Sequence, residues 1–147
     1  MSNWQNKTCR IFSDHQPEYQ VIVFGNSEDE GTPVACVANK TTPQGLFKII
    51  ALPGADKFEL KSVFYEGWRV GANPENFHEQ NWPITTAKDF AWAIEPAGHD
   101  QWKIHLPNEG IYWYLPSGPD EQSDHRILLQ TNRGRPGELW RIVPDEE

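Results

Sequence analysis

Leu46-Phe47-Lys48-Ile49, Ala91-Trp92-Ala93-Ile94 and Leu139-Trp140-Arg141-Ile142 share one pattern: a small or apolar residue, an aromatic, a variable residue, then isoleucine. The three aromatics recur at near-equal intervals along the chain, and internal repeats of this kind constrain a fold before any single motif does. Working outward, each pattern has a partner at the start of its own unit. Cys9-Arg10-Ile11, Phe58-Glu59-Leu60 and Trp102-Lys103-Ile104 share an apolar, a charged and an aliphatic residue. A second strand per unit is supplied by Tyr19-Gln20-Val21, Trp68-Arg69-Val70 and Tyr112-Trp113-Tyr114. A third is centred on Val34, Ile84 and Ile127.

Three units of four short strands follow from this. Alternation along each strand turns every second side chain inward. The remaining β-branched and aromatic runs, at 19–24, 33–37, 58–64, 111–115 and 127–130, are bounded by turn residues, as strands are. With 12 Pro and 11 Gly spread along 147 residues, no window keeps the apolar spacing of a helix. A single unit cannot bury its own apolar face, so the three must close on one another. The reading is all-β: a β-trefoil of three pseudo-repeats, with a six-stranded barrel capped by hairpins. A three-bladed propeller is disfavoured, because propellers use four or more blades. One domain over residues 1–147 is expected, with approximate units at 1–52, 53–98 and 99–147. Phe47, Trp92 and Trp140 are expected in the core near the axis.

Composition narrows the partners. With 13 basic and 21 acidic residues the formal net charge is −8. Phosphate backbones and anionic membranes need a basic footprint, so neither nucleic acid nor membrane is expected. Residues 1–10 carry no apolar run of a secretory signal, and no segment has the length of a membrane span. A cytoplasmic location with Cys9 and Cys36 as free thiols is the expectation.

The familiar chemistries are missing from the sequence. His15, His78, His99, His105 and His125 show no metal-ligand spacing, and neither cysteine sits in a zinc pattern, so no metal or cofactor is expected. There is no nucleophile elbow, phosphate loop or dinucleotide fingerprint. Glu28-Asp29-Glu30 lacks the ordered spacing of a calcium loop, and Asp120-Glu121 has no converging second pair. The chain reads as a non-enzyme whose function lies in its loops.

Two loop functions compete. Many trefoils bind sugars, and the ricin-type repeat places Gln two residues before the fourth-strand Trp. Here those places hold Gly45, Phe90 and Glu138, so that signature fails in every unit. Exposed tryptophans such as Trp4 or Trp82 would still offer a face to a sugar. A substrate-like protease inhibitor needs instead one rigid exposed loop, because a rigid loop loses little entropy on binding. A trypsin-like pocket with its basal aspartate calls for Arg or Lys. The final loop, Thr131-Asn132-Arg133-Gly134-Arg135-Pro136-Gly137, carries two arginines between predicted strands. Pro136 stiffens it and protects the preceding bond, which leaves Arg133–Gly134 as the scissile-type bond.

Leu115-Pro116-Ser117-Gly118-Pro119-Asp120-Glu121-Gln122, followed by Arg126-Ile127-Leu128 and Leu139-Trp140-Arg141-Ile142, resembles the last unit of the mushroom serine-protease inhibitors of the cospin and cnispin type. Phe90-Ala91-Trp92-Ala93-Ile94-Glu95 is similar to that family's strand ending W-x-I-E. The resemblance implies a fungal, cytosolic β-trefoil of defensive role that blocks trypsin-like serine proteases. A reactive basic residue in the last loop corresponds here to Arg133 or, second, Arg135. A reactive Arg in the second loop of the first unit has no counterpart, since residues 25–32 contain three acids and no base. Asparagine-directed inhibition of legumain-type proteases would fall on Asn73, Asn76 or Asn81. The expected function is therefore protease inhibition through Asn132, Arg133, Gly134, Arg135 and Pro136, with a carbohydrate-binding defence lectin as the alternative and glycans as its partners.

Overall fold

The computed structural model describes residues 4–23, 32, 34–38, 42–54, 56–72, 83–107, 110–116 and 125–145. Strands β1 (Lys7–Ser13), β2 (Tyr19–Val23), β3 (Val34–Ala38) and β4 (Phe47–Ala51) come first. They are followed by β5 (Lys57–Ser62), β6 (Arg69–Gly71), β7 (Ile84–Thr86) and β8 (Trp92–Gly98). The last group is β9 (Gln101–His105), β10 (Ile111–Tyr114), β11 (His125–Arg126), β12 (Leu128–Thr131) and β13 (Trp140–Pro144).

Pairing closes a ring. β1 pairs with β4, β4 with β5, β5 with β8, β8 with β9, β9 with β13, and β13 returns to β1, all antiparallel. A closed ring of six strands leaves no open barrel edge. The remaining strands form the hairpins β2–β3, β6–β7 and β10–β12, with β11 beside β3. This is the β-trefoil.

The alternation that suggested strands is visible in burial. Cys9, Ile11 and Ser13 of β1 point inward, as do Phe47 and Ile49 of β4 and Trp140 and Ile142 of β13. Phe47, Trp92 and Trp140 are fully buried, and the Trp113 ring stands edge-on to both Trp92 and Trp140, at 5.3 and 5.8 Å. Trp92 Nε1 donates to the Val70 carbonyl at 2.8 Å, and Trp140 Nε1 donates to the Trp113 carbonyl at 3.3 Å. Such an acceptor offsets the cost of burying an indole N–H. Phe47 fills the same place in the first unit with no N–H to satisfy.

Local turns repeat as well. The Ser13 hydroxyl accepts from the Gln16 N–H, and the Ser62 hydroxyl accepts from the Tyr65 N–H, both at 3.0 Å. These side-chain turns steer β1 into β2 and β5 into β6. Asp56 and Asp100 hold left-handed φ of 61° and 56° in the turns before β5 and β9. Aspartate tolerates that conformation because its short side chain can bond locally.

The register corrects two of the strand alignments. Gln20 lies opposite Phe12, Arg69 opposite Lys61, and Tyr112 opposite His105, so Tyr112 matches Gln20 rather than Tyr19. Likewise Val37, Thr86 and Gln130 face those three residues, so Pro83 rather than Ile84 matches Val34. A one-residue slip exchanges the faces of a strand. The corrected register puts Val21, Val70 and Trp113 together in the core. His125 lies in β11.

Candidate functional site

The loop after β12 is held from below by one carboxylate. Glu138 is fully buried at the end of the 3-10 turn Pro136–Glu138. Its oxygens accept from the Arg133 N–H at 2.9 Å, the Gly134 N–H at 3.1 Å and Arg135 Nε at 3.1 Å, with Lys103 Nζ at 3.8 Å. A buried carboxylate is tolerated where its lone pairs are met in this way. Arg135 is further tied to the Gln130 side chain at 3.0 Å and lies 3.7 Å over the Tyr114 ring. Of the two arginines, Arg135 therefore serves the loop's own architecture, and Arg133 is the exposed one. Asn132, Gly134 and Pro136 are exposed beside it. Gly134 has a left-handed φ of 69°, and its N–H is also 3.2 Å from Asn132 Oδ1, so the chain turns immediately after Arg133.

Glu138 occupies the place two residues before the fourth-strand aromatic. The three units fill that place differently. Gly45 leaves room, and Arg10 Nη1 enters it to donate to Gln20 Oε1 at 2.6 Å and to the Thr42 carbonyl at 2.8 Å. Phe90 packs on Trp92 at 5.0 Å in the second unit. There Glu59 and Arg69 pair at 2.8 Å, and Arg69 donates to the Ala87 carbonyl.

A second feature lies where β4, β5 and β6 meet, and the sequence reading did not name it. Lys48, Lys61, Ser62, Val63, Glu66 and Trp68, with Gly67 and Arg69, line an open pocket of about 300 Å³. Trp68 ends the turn that starts at the Ser62 hydroxyl, so the aromatic wall is set by the fold rather than by a free loop. Val63 is 39% exposed in that lining, and Phe64, next to it in the chain and 49% exposed, is propped edge-on against Tyr65 at 4.7 Å. Large apolar side chains left in water beside a pocket mark contact surfaces. Trp68 was visible in the sequence only as a strand residue. Its exposure depends on the side chain's position at the strand mouth.

Other sequence expectations resolve plainly. Trp4 offers no face to a sugar: it is 2% exposed and wedged edge-on between Phe58 and Trp102 at 5.0 and 5.1 Å. Trp82, Asn73, Asn76, Asn81, His78, residues 28–30 and residues 120–121 lie outside the described residues. Cys9 and Cys36 are free and buried. Among the described residues no three His, Cys, Asp or Glu side chains gather as a metal site, and no helix is long and apolar enough to cross a membrane.

No family model matches this chain, and no curated protein matches it either. Solved structures do. The Macrolepiota procera ricin B-like lectin, in complex with lactose, is similar over 99% of this chain and 100% of its own, at 14% identity and a TM-score of 0.78. The Rhizoctonia solani agglutinin is similar over 95% of this chain and 96% of its own, at 11% identity and a TM-score of 0.80. The designed threefold-symmetric protein ThreeFoil is similar over 94% of this chain and 99% of its own, at 13% identity and a TM-score of 0.78. At such identities the likeness is one of fold. It includes fungal lectins, and none of these comparisons ties the chain to protease inhibitors.

Proposed function

We propose that the protein is a non-catalytic carbohydrate-binding β-trefoil. The observation that carries this reading is the pocket at the mouth of β5 and β6. It sets the half-buried Trp68 beside Lys48, Lys61, Ser62 and Glu66. A sugar presents an apolar C–H face and a rim of hydroxyls, and an aromatic wall beside polar and charged residues suits both. Fungal lectins among the proteins of like fold make the class reasonable. The test is a glycan array probed with the full chain and with Trp68→Ala. Binding that free sugar displaces, and that the variant loses, supports the reading. No glycan binding by the unaltered chain refutes it.

Inhibition of a trypsin-like serine protease is the second reading. It rests on the exposed Arg133, whose backbone N–H is fixed by Glu138. A protease grips its substrate as an extended strand, and the left-handed turn at Gly134 bends the chain where it should run straight. That bend ranks this reading second. Residual trypsin activity against a rising amount of protein decides it, with Arg133→Ala as the control.

A further inference from the structure

The pocket's cations sit in a row. Lys48 of β4 lies directly opposite Lys61 of β5, and Lys61 lies directly opposite Arg69 of β6. Directly opposed residues of an antiparallel pair point to the same face, and like charges there are destabilising. Three cations in line across three strands are therefore a cost to the fold, in a chain whose net charge is −8. Part of the charge is balanced. Glu59 pairs with Arg69 at 2.8 Å and stands 3.9 Å from Lys61, and Arg69 also reaches Asp89 at 3.4 Å. Arg69 is thus committed to carboxylates of the protein itself. Lys48 and Lys61 line the pocket together with Trp68, and Glu66 is the acidic residue of that lining.

We infer that this pocket selects sugars carrying an anionic group, a carboxylate or a sulfate, which sits between Lys48 and Lys61 while the ring lies against Trp68. The inference rests on the carbohydrate-binding reading and names its ligand class. An anion bridging two opposed ammonium groups turns their repulsion into attraction, which would offset the cost of setting Lys48 opposite Lys61. The neighbouring Trp68 supplies the contact that inorganic anions lack.

The experiment is calorimetric titration of the full chain with three matched oligosaccharides: one ending in glucuronate, its neutral methyl ester, and one ending in a 6-sulfated hexose. The same titrations are made on Lys48→Gln/Lys61→Gln. At least tenfold tighter binding of the glucuronate or the sulfated sugar than of the ester is expected, and the two acidic probes tell carboxylate from sulfate. The double variant should lose that preference and keep or raise its melting temperature, a combination that loss of structure would not give. Equal binding of acidic and neutral sugars, unchanged in the variant, overturns this inference and leaves the carbohydrate-binding reading standing. Binding of none of the three, with a blank glycan array, overturns both.

Discussion

The guanidinium of Arg135 lies over the ring of Tyr114, 3.7 Å from its centroid, while its Nε meets the fully buried Glu138 at 3.1 Å. Charge, stacking and burial meet in one side chain. Glu138 in turn holds the backbone of Arg133 and Gly134. Glu138→Ala would take the acceptor from the Arg133 N–H and the carboxylate from Arg135 and Lys103, and is expected to cost about 3 kcal/mol. Arg135→Lys keeps the charge but loses the planar stack, at about 1 kcal/mol. Urea unfolding of both variants measures the order.

The indole hydrogen bonds make an uneven pair. Trp92→Phe removes the 2.8 Å bond to Val70 and leaves a buried carbonyl short of a donor, and Trp140→Phe removes a 3.3 Å bond. The first is expected to cost about 2 kcal/mol and the second less, since the longer bond is the weaker. Equal thermal losses would show that ring volume, not the N–H, sets the penalty.

Two glycine substitutions in corresponding turns should diverge. A Cβ on Gly137 would run into the Leu115 carbonyl oxygen, part of the backbone, and press on the Tyr114 ring. A Cβ on Gly45 would meet the ends of the Gln20 and Arg10 side chains, which can turn aside. Gly137→Ala is expected to cost roughly 3 kcal/mol, against about 1 for Gly45→Ala. Denaturant midpoints compare them directly.

Both thiols are expected to be silent in the folded protein. Burial pushes Cys9 up from 9.0 to about 12, against a small opposing pull from Lys7, and pushes Cys36 up as well. A thiol reagent at pH 8 should label neither until denaturant is added. The sign for stability follows. The folded state keeps its thiol protons where the unfolded chain loses them, so this contribution is full below about pH 9 and falls away as pH rises toward about 12. Unfolding curves taken at pH 8 and pH 10.5 measure the fall.

The barrel was legible because its signal is local. An aromatic, a spacer and an isoleucine alternate within four residues, and Phe47, Trp92 and Trp140 are all in the core. The hairpin register was not legible. Ile111-Tyr112-Trp113-Tyr114 is apolar throughout, so its pattern fits either face, and only the pairing of Tyr112 with His105 decides. Trp4 misled because a lone tryptophan near a terminus carries no period. The cation row was hidden for a different reason. Lys48, Lys61 and Arg69 belong to three separate strands, and nothing short of their pairing sets them side by side. The last loop gave its residues readily, but their division of labour depends on Glu138, which sequence alone marked only as a departure from a lectin pattern.

Trp113 stands where the other units have Val21 and Val70. The interior is thus shared unequally: the third unit contributes far more volume to the axis than the first or second. Three identical copies of the third unit would bring three indoles to a space now occupied by one, and three copies of the first would leave it hollow. The units of this trefoil are consequently not interchangeable parts. Each has become the complement of the other two, so a sequence built by repeating any one of them would have to be repacked at its centre before it could close.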